Sequence, residues 1–224
     1  MIRLFDIFLS LAAIIFFLPL FIFFIVLLRL TGEGEVFYLQ KRIGRGGIEF
    51  NILKFATMLK NSPNMGTGSI TVKNDSRVLP VGRLLRKTKV NELPQLINIL
   101  VGDMSVVGPR PLTPENFTHY SKAQRAVISS VRPGLSGIGS IVFRDEEALL
   151  HSERDARTFY REVIAPFKGE LEIWFVNNRS IFLYFRILLA TLICVLFKDT
   201  KAHFLLLPNL PKPSGRLKAL LNLV

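Results

Sequence analysis

The sequence predicts a mixed α/β protein, rich in helix and with one small sheet, that is attached to a membrane. Residues 7–28 carry no charge and are long enough to cross a hydrocarbon core of about 30 Å as a helix. Two short runs of aromatic and β-branched residues flank a glycine-rich turn, and several later segments repeat their apolar residues with helical spacing. A length of 224 residues suits one domain with an anchor and is too short for two enzyme domains.

Composition excludes several classes of protein. Apolar residues make up 50% of the chain and aromatic residues 11%, which is too much for a disordered protein. The single cysteine, Cys194, excludes a disulfide framework. The three histidines, His119, His151 and His203, lie far apart and have no partner at metal-ligand spacing, so we expect no zinc site.

The uncharged N-terminal segment is interpreted as a retained anchor, because it lacks a small-residue cleavage site and is longer than the apolar part of a usual signal peptide. Pro19 lies near its middle and removes a backbone hydrogen bond, so we expect a kink there. Two arrangements remain open: a kinked helix that spans the membrane, and a re-entrant hairpin with Pro19 at its apex. More basic residues follow the segment than precede it, which favours a cytoplasmic C-terminal part in both arrangements. These residues are Arg3 before the segment and Arg29, Lys41 and Arg42 after it.

A β-hairpin is predicted directly after the anchor. Residues 36–40 and 48–52 have strand composition and flank the glycine-rich loop at 44–47. The next segment, 61–69, is polar and contains glycine and proline, which predicts a loop.

Helical periodicity covers most of the remaining chain. Helices are predicted at 81–88, 94–100 and 121–131, and the last of these ends before Pro133. Residues 146–167 combine helical spacing with mixed charge, so we expect a solvated helix there.

A second apolar run covers residues 181–197 and is interrupted by Arg186. We favour an amphipathic helix that lies on the membrane and lets Arg186 reach the headgroups; a core helix is the alternative. The chain is thus divided into a membrane-inserted helix at 1–32, a cytoplasmic domain with interfacial helices at 33–200, and a basic C-terminal tail at 201–224. We expect the tail to rest on anionic lipid.

The net charge of +12 raises the question of a nucleic-acid partner. The basic residues do not form one helical stripe, and the chain begins with a membrane anchor. We therefore expect no nucleic acid. An anionic membrane lipid, a phosphorylated substrate, or both explain the charge better.

Residues 89–111 carry the strongest chemical signal. Glu92 lies just before Pro94, which is preferred in the first helical turn, so its carboxylate would lie near unpaired backbone N–H groups. Arg110 lies between Pro109 and Pro111, and an arginine held in this way suits phosphate recognition. The alternatives are an ordinary acid at a helix start and a surface arginine in a turn.

This segment is similar to the signature of the bacterial sugar transferases, the small monotopic phosphoglycosyl transferases that start glycan assembly on polyprenol phosphate. That signature has a basic segment, Asp-Glu-Leu-Pro-Gln, a short helix, Gly-Asp-Met-Ser and Val-Gly-Pro-Arg-Pro. The matching residues here are Asn91-Glu92-Leu93-Pro94-Gln95, Gly102-Asp103-Met104-Ser105 and Val107-Gly108-Pro109-Arg110-Pro111. The similarity covers roughly residues 3–195 in the family's order, including the segments at 40–44, 54–58, 81–88 and 131–137.

The resemblance implies transfer of a sugar-1-phosphate from a UDP-sugar to a polyprenol phosphate such as undecaprenol phosphate, with release of UMP. It implies Mg²⁺, an Asp–Glu pair in which the Asp is the covalent nucleophile, and a monotopic fold with a re-entrant N-terminal helix. It also implies a role in exopolysaccharide or lipopolysaccharide biosynthesis at the cytoplasmic face of the bacterial inner membrane.

Three departures from the family pattern affect which of the family's properties can be assigned to this chain. Asn91 occupies the position of the nucleophilic Asp, and a carboxamide is a poor nucleophile. Residues 136–145 differ from the usual Trp-Ala-Gln-Val-Asn-Gly-Arg run, which affects the expected contact with the nucleotide. Leu18 precedes Pro19 where serine is common, and Ala56 replaces a basic residue.

Asn91 leaves the mechanism open. Either Glu92 takes a larger role, or polyprenol phosphate attacks the diphosphate directly while Glu92 holds Mg²⁺. A catalytically silent scaffold of the same fold is the alternative function, and a binding module without chemistry is a third.

The candidate site residues are Asn91 and Glu92 for catalysis, Glu92 for the metal and Pro19 for the break in the membrane helix. Asp103 is interpreted as a turn acid, and coordination of Mg²⁺ is the alternative. The candidates for binding phosphate or nucleotide are Lys54, Arg86, Arg110, Arg132, Pro133, Gly134 and Arg144.

Overall fold

The computed structural model describes residues 1–65, 75–151, 155–197, 206–207 and 209–221. The predicted loop at 61–69 therefore lies partly outside the described residues, and Lys201 and His203 lie wholly outside them.

Helix α1 runs without interruption over Ile2–Leu30, with Pro19 inside it. It is long and apolar enough to cross a membrane, and one side of it is exposed, with Phe8 69% and Phe16 76% exposed. Because α1 is one continuous helix, the predicted hairpin with its apex at Pro19 is not confirmed.

Both ends of α1 contact the rest of the protein. Near the N-terminus, the Arg3 guanidinium donates to the Leu100 carbonyl at 2.8 Å. The buried Asp6 carboxylate accepts hydrogen bonds from the Ser105 hydroxyl, the Val106 N–H and the Tyr184 hydroxyl, each at 2.9 Å. Towards the C-terminus, three residues of α1 pack in one apolar cluster with two residues of the domain; the cluster consists of Phe21, Phe24, Leu28, Phe55 and Leu85. A helix that crossed the bilayer away from the domain would leave one end without such contacts.

The predicted hairpin is confirmed and is longer than expected. Strands β1 (Phe37–Ile43) and β2 (Glu49–Phe55) pair antiparallel across a short 3₁₀ turn at Arg45–Gly47. A second, two-stranded sheet is formed by β3 (Ser105–Val107) and β4 (Gly134–Ser136), which pair in parallel.

The helices predicted at 81–88, 94–100 and 121–131 are confirmed. They are α2 (Pro80–Lys87), α3 (Gln95–Val101) and α5 (Lys122–Ser129), with a short α4 (Pro114–Phe117) before α5. Ser121 and Gln124 form a capping box at the start of α5, which explains where this helix begins.

The region predicted as a solvated helix at 146–167 is helical where the structure describes it, but only one face is solvated: Arg161 and Glu162 are exposed, and other residues are buried. It contains α7 (Glu146–His151), α8 (Ala156–Phe159) and a π-helical turn (Tyr160–Ile164) that continues into α9 (Ala165–Asn177); α6 (Ile138–Val142) precedes them. Phe159, Ile164 and Phe167 are buried in the largest apolar cluster. The prediction of full solvation was wrong because the charged residues in this segment masked, in the sequence, the apolar residues that are buried.

Helix α10 (Ile181–Leu196) has two different faces. Tyr184, Ile187 and Ala190 are buried in the main core, whereas Phe182 is 79% exposed. The last helix, α11 (Gly215–Leu220), lies in the segment predicted as a basic tail, where three leucines are buried in the main core: Leu207, Leu210 and Leu217. The described part of this segment thus packs on the domain, and its contact with lipid stays a prediction.

Candidate active site

Glu92 lies in a tight turn between α2 and α3. The turn is a 3₁₀ segment at Val90–Glu92, and it begins after Lys89, which has a left-handed backbone with φ = 60°. Non-glycine residues rarely adopt this conformation, and such backbone strain is concentrated at functional sites. The side chain of Glu92 is 17% exposed.

Arg110 follows directly after strand β3. The two strands β3 and β4 approach closely because glycines lie at their ends: a Cβ at Gly134 would lie 2.1 Å from the Gly108 nitrogen. The Gly134 N–H donates to the Pro109 carbonyl at 2.8 Å, which fixes the turn before Arg110. From there the guanidinium reaches Glu92, with 3.6 Å between Nη2 and Oε1.

The β-hairpin contributes two more cations on one face. Arg42 pairs with Phe50 and Lys54 pairs with Tyr38, so Arg42 and Lys54 point to the same side of the two strands. The Arg42 guanidinium donates to the Pro111 carbonyl at 3.0 Å and so holds the other side of the Arg110 turn. A small pocket lies between these elements, lined among others by Arg42, Lys54, Gln95, Arg110 and Gly134.

The pocket carries more positive than negative charge. Burial raises the pKa of Glu92, but the nearby cations Arg110, Lys54, Lys89 and Arg42 outweigh it and lower the pKa to about 2. Burial lowers the pKa of Lys54 to about 7 and that of Arg42 to about 10. Glu92 raises the pKa of Arg110. One carboxylate thus faces several cations, of which Arg42, Lys54 and Arg110 are half-buried and Lys89 is exposed, and this arrangement suits an anionic ligand.

Asn91 is buried next to this cluster. It is 7% exposed, and its side-chain carbonyl oxygen has no hydrogen-bond partner among the described residues. A buried polar atom without a partner costs free energy, so this oxygen is available to accept a hydrogen bond from a ligand or to coordinate a metal.

Not all predicted site residues meet in the pocket. Arg132 donates from Nε to the Gly102 carbonyl at 2.8 Å and so ends α3. Arg144 donates to the Cys194 carbonyl at the end of α10. Asp103 lies within 3.4 Å of the Asn98 amide, away from the pocket lining. The phosphate-binding roles of Arg132 and Arg144 stay predictions, and these contacts give them structural roles.

Two other predicted residues lie at the edge of the site. Arg86 lowers the pKa of Lys54, which places its charge near the cluster. Pro133 joins Gly134, and its carbonyl accepts from the Ser105 N–H at 2.8 Å.

Sequence reasoning missed Arg42, Gln95 and Glu172. Arg42 could have been found from the register of the hairpin, because residues 42 and 54 fall on the same face. Glu172 could not, because it reaches the site only through the packing of α9.

Comparison with known proteins settles the family. The family model for bacterial sugar transferases matches residues 1–198. The chain belongs to this family.

Several relatives support the assignment. The exopolysaccharide production protein ExoY of Rhizobium meliloti is 37% identical over 158 residues, which cover 64% of this chain and 70% of ExoY. The uncharacterized sugar transferase EpsL of Bacillus subtilis is 35% identical over 88% of each chain. The UDP-glucose:undecaprenyl-phosphate glucose-1-phosphate transferase of Xanthomonas campestris is 32% identical over 81% of this chain, which spans only 36% of that longer relative. Membership confirms the predicted sugar transferase enzyme.

The family implies a metal ion, and Glu92 beside the pocket is its candidate ligand. Among the described residues there is no group of three or more His, Cys, Asp or Glu side chains that could hold a metal. Mg²⁺ is commonly held by one or two carboxylates together with substrate phosphates. Glu92, with the unpartnered Asn91 carbonyl beside it, therefore fits this ion in the presence of a phosphorylated substrate.

The shifted pKa of Lys54 predicts a pH-dependent stability. The native state loses this proton near pH 7, whereas the unfolded chain keeps it to about pH 10.4, so the free energy of unfolding rises with pH between these values. We expect Lys54→Met to raise the melting temperature by several degrees at pH 6, and the gain to shrink as the pH rises above 7.

Melting curves of the detergent-purified protein between pH 6 and pH 9 test this expectation. Lys41→Met is the matched control, because Lys41 lies on the partner strand of the same hairpin with a side chain that is 74% exposed. A gain from Lys54→Met that is the same at every pH would contradict the assigned pKa.

Proposed function

We propose that this sugar transferase moves a sugar-1-phosphate from a UDP-sugar to a polyprenol phosphate, such as undecaprenol phosphate, and releases UMP. The reaction would initiate a bacterial exopolysaccharide or lipopolysaccharide at the cytoplasmic face of the inner membrane. The observation that carries the proposal is the excess of half-buried cations around Glu92, just before α3, next to an exposed apolar helix.

The charge of the pocket supports a diphosphate donor. Arg42, Lys54 and Arg110 come from three different segments and converge on a single carboxylate. Guanidinium groups suit phosphate because they donate in a fixed fork, and a desolvated ammonium adds a point charge. Two of the relatives are named for undecaprenyl-phosphate transfer from UDP-glucose and UDP-N-acetylgalactosamine, which supports the same donor class here.

The surface beside the pocket supports a lipid acceptor. Helix α3 begins three residues after Glu92 and packs against α1, and its residues Ile97 and Val101 are exposed. Phe5 of α1 meets Phe185 of α10 with 5.3 Å between the ring centroids, so the exposed apolar faces of the two helices adjoin. We define this as the apolar surface; its exposed residues include Leu4, Phe8, Phe16, Phe182, Leu189 and Phe197.

A surface of this kind suits insertion into one leaflet. Arg186 lies on the exposed side of α10, where its guanidinium can reach lipid headgroups. Because both ends of α1 contact the domain, the proposal places both ends of α1 on the same side of the bilayer, as the re-entrant arrangement requires.

Glu92 would hold Mg²⁺ together with the phosphates of the donor. When bound, the ion would offset negative charge that builds up on the phosphates during transfer.

The chain's own residues favour a single displacement. An Asn91 carboxamide cannot serve as the phosphorus nucleophile, so an oxygen of polyprenol phosphate attacks the phosphorus attached to the sugar. The bond from that phosphorus to the oxygen bridging to UMP breaks, and UMP leaves with the bond's electron pair. Arg110 and Lys54 would offset the repulsion between the two anionic reactants.

Replacing the carboxylate tests the assignment. We expect Glu92→Gln to lower the rate of UMP release from UDP-sugar, Mg²⁺ and undecaprenol phosphate by at least about a hundredfold, because the pocket loses its negatively charged metal ligand. Release is measured on detergent-purified protein with several UDP-sugars. Glu49→Gln is the control, since Glu49 is an exposed carboxylate of the hairpin.

Full turnover by Glu92→Gln would overturn the role of Glu92. No UMP release by the natural chain with any UDP-sugar, beside an active relative, would overturn the proposed reaction.

A catalytically silent scaffold is the second candidate, and Asn91 is the observation that favours it. Asn91→Asp separates the two candidates. A single displacement predicts that the natural chain releases UMP only when polyprenol phosphate is present, and that Asn91→Asp adds a burst of about one UMP per protein without the lipid, because a carboxylate can accept the phosphosugar. Activity that appears only in Asn91→Asp would establish the silent scaffold.

A further inference from the structure

A carboxylate on α9 contacts the backbone of the site from behind. Glu172 is 4% exposed, and its Oε1 lies 3.4 Å from the backbone nitrogen of Arg110, which donates to it. The Gly139 N–H donates to the same carboxylate. The other oxygen, Oε2, has no hydrogen-bond partner among the described residues.

Residue 139 leaves room for this carboxylate only because it is glycine. A Cβ at Gly139 would lie 2.4 Å from Oε1 of Glu172, which is shorter than any real contact. The neighbouring cation Lys168 forms its ion pair with Glu146. Glu172 is therefore held at the site chiefly by the two backbone N–H groups, and burial raises its pKa to about 7.

The Arg110 guanidinium is contacted by one side chain from the Gly139 segment and by one from the turn before α3. Ser140, next to Gly139, lies with its hydroxyl 3.4 Å from Nη1 of Arg110, and Glu92 lies 3.6 Å from Nη2. A carboxylate that binds the N–H groups of residues 110 and 139 thus fixes the distance between the arginine and the serine that orients it.

We infer that Glu172 is a positioning residue, which aims the Arg110 guanidinium at the phosphate pocket by binding the backbone of Arg110 and Gly139. The inference deepens the proposed function and rests on it for the identity of the ligand. It assigns Glu172 no contact with substrate.

A double-mutant cycle with Arg110 tests the inference. If Glu172 acts through Arg110, Glu172→Ala weakens UDP binding and lowers kcat/KM by about tenfold in the natural background, and by less than about twofold when Arg110 is already alanine. A general structural role would instead give the same loss in both backgrounds. Glu172→Gln keeps an acceptor oxygen, so we expect it to recover most of the loss.

Three measurements are made on each detergent-purified variant: equilibrium affinity for UDP, kcat and KM for UMP release, and melting temperature. Glu162→Ala, which removes an exposed carboxylate near the start of the same helical run, is the control and should match the natural protein. Equal losses in both backgrounds, or a loss that Glu172→Gln does not recover, would overturn the inference. If the natural chain releases no UMP, the proposed reaction is overturned. The double-mutant cycle measured by UDP affinity would still decide the role of Glu172.

Discussion

The organisation of the site depends on several cations, most of them half-buried, that share one carboxylate. Glu92 is closest to Arg110, at 3.6 Å, but Lys54, Lys89 and Arg42 also act on it. A single carboxylate cannot neutralise this much positive charge, and burial already lowers the pKa of Lys54 to about 7. The pocket therefore favours an added anion, and the proposed phosphorylated substrates would supply the missing negative charge.

Backbone packing holds these charges together against their repulsion. Gly108 and Gly134 let two parallel strands approach so closely that a side chain at either position would collide with the backbone opposite. This close approach brings the Arg110 turn against the hairpin. Arg42 then binds the Pro111 carbonyl, and Glu172 binds the Arg110 N–H. These hydrogen bonds with the backbone thus help to offset the repulsion among the cations.

Much of the fold could be predicted from local sequence. The hairpin around 44–47 and the helices α2, α3 and α5 follow from turn residues, caps and periodicity, which act over a few residues. Local signals failed at 146–167, where charged residues mask a buried face. They also do not reveal the Asp6 carboxylate, which is buried by partners about a hundred or more residues away.

Local sequence singled out Glu92 and Arg110 because each lies in a rigid local frame, and the structure brings the two side chains within 3.6 Å of each other. Arg132 and Arg144 resemble phosphate ligands in sequence, yet each binds a backbone carbonyl of a distant helix. Whether an arginine faces a ligand or a carbonyl depends on tertiary packing, which one sequence does not display. Arg42 is the intermediate case, because only the pairing of the two strands places it beside Lys54.

The central claim is that the cationic pocket lies where a membrane-bound phosphate can reach it. Photo-crosslinking in lipid nanodiscs that contain undecaprenol phosphate tests this claim most directly. A photoreactive residue is placed either at Ile97, which is exposed on α3, or at Ile48. Ile48 is exposed at one end of the hairpin, and Phe55 contacts α1 at the opposite end. The account predicts capture of the polyprenol phosphate at position 97 and none at position 48; equal capture at both positions, or none at 97, would contradict it.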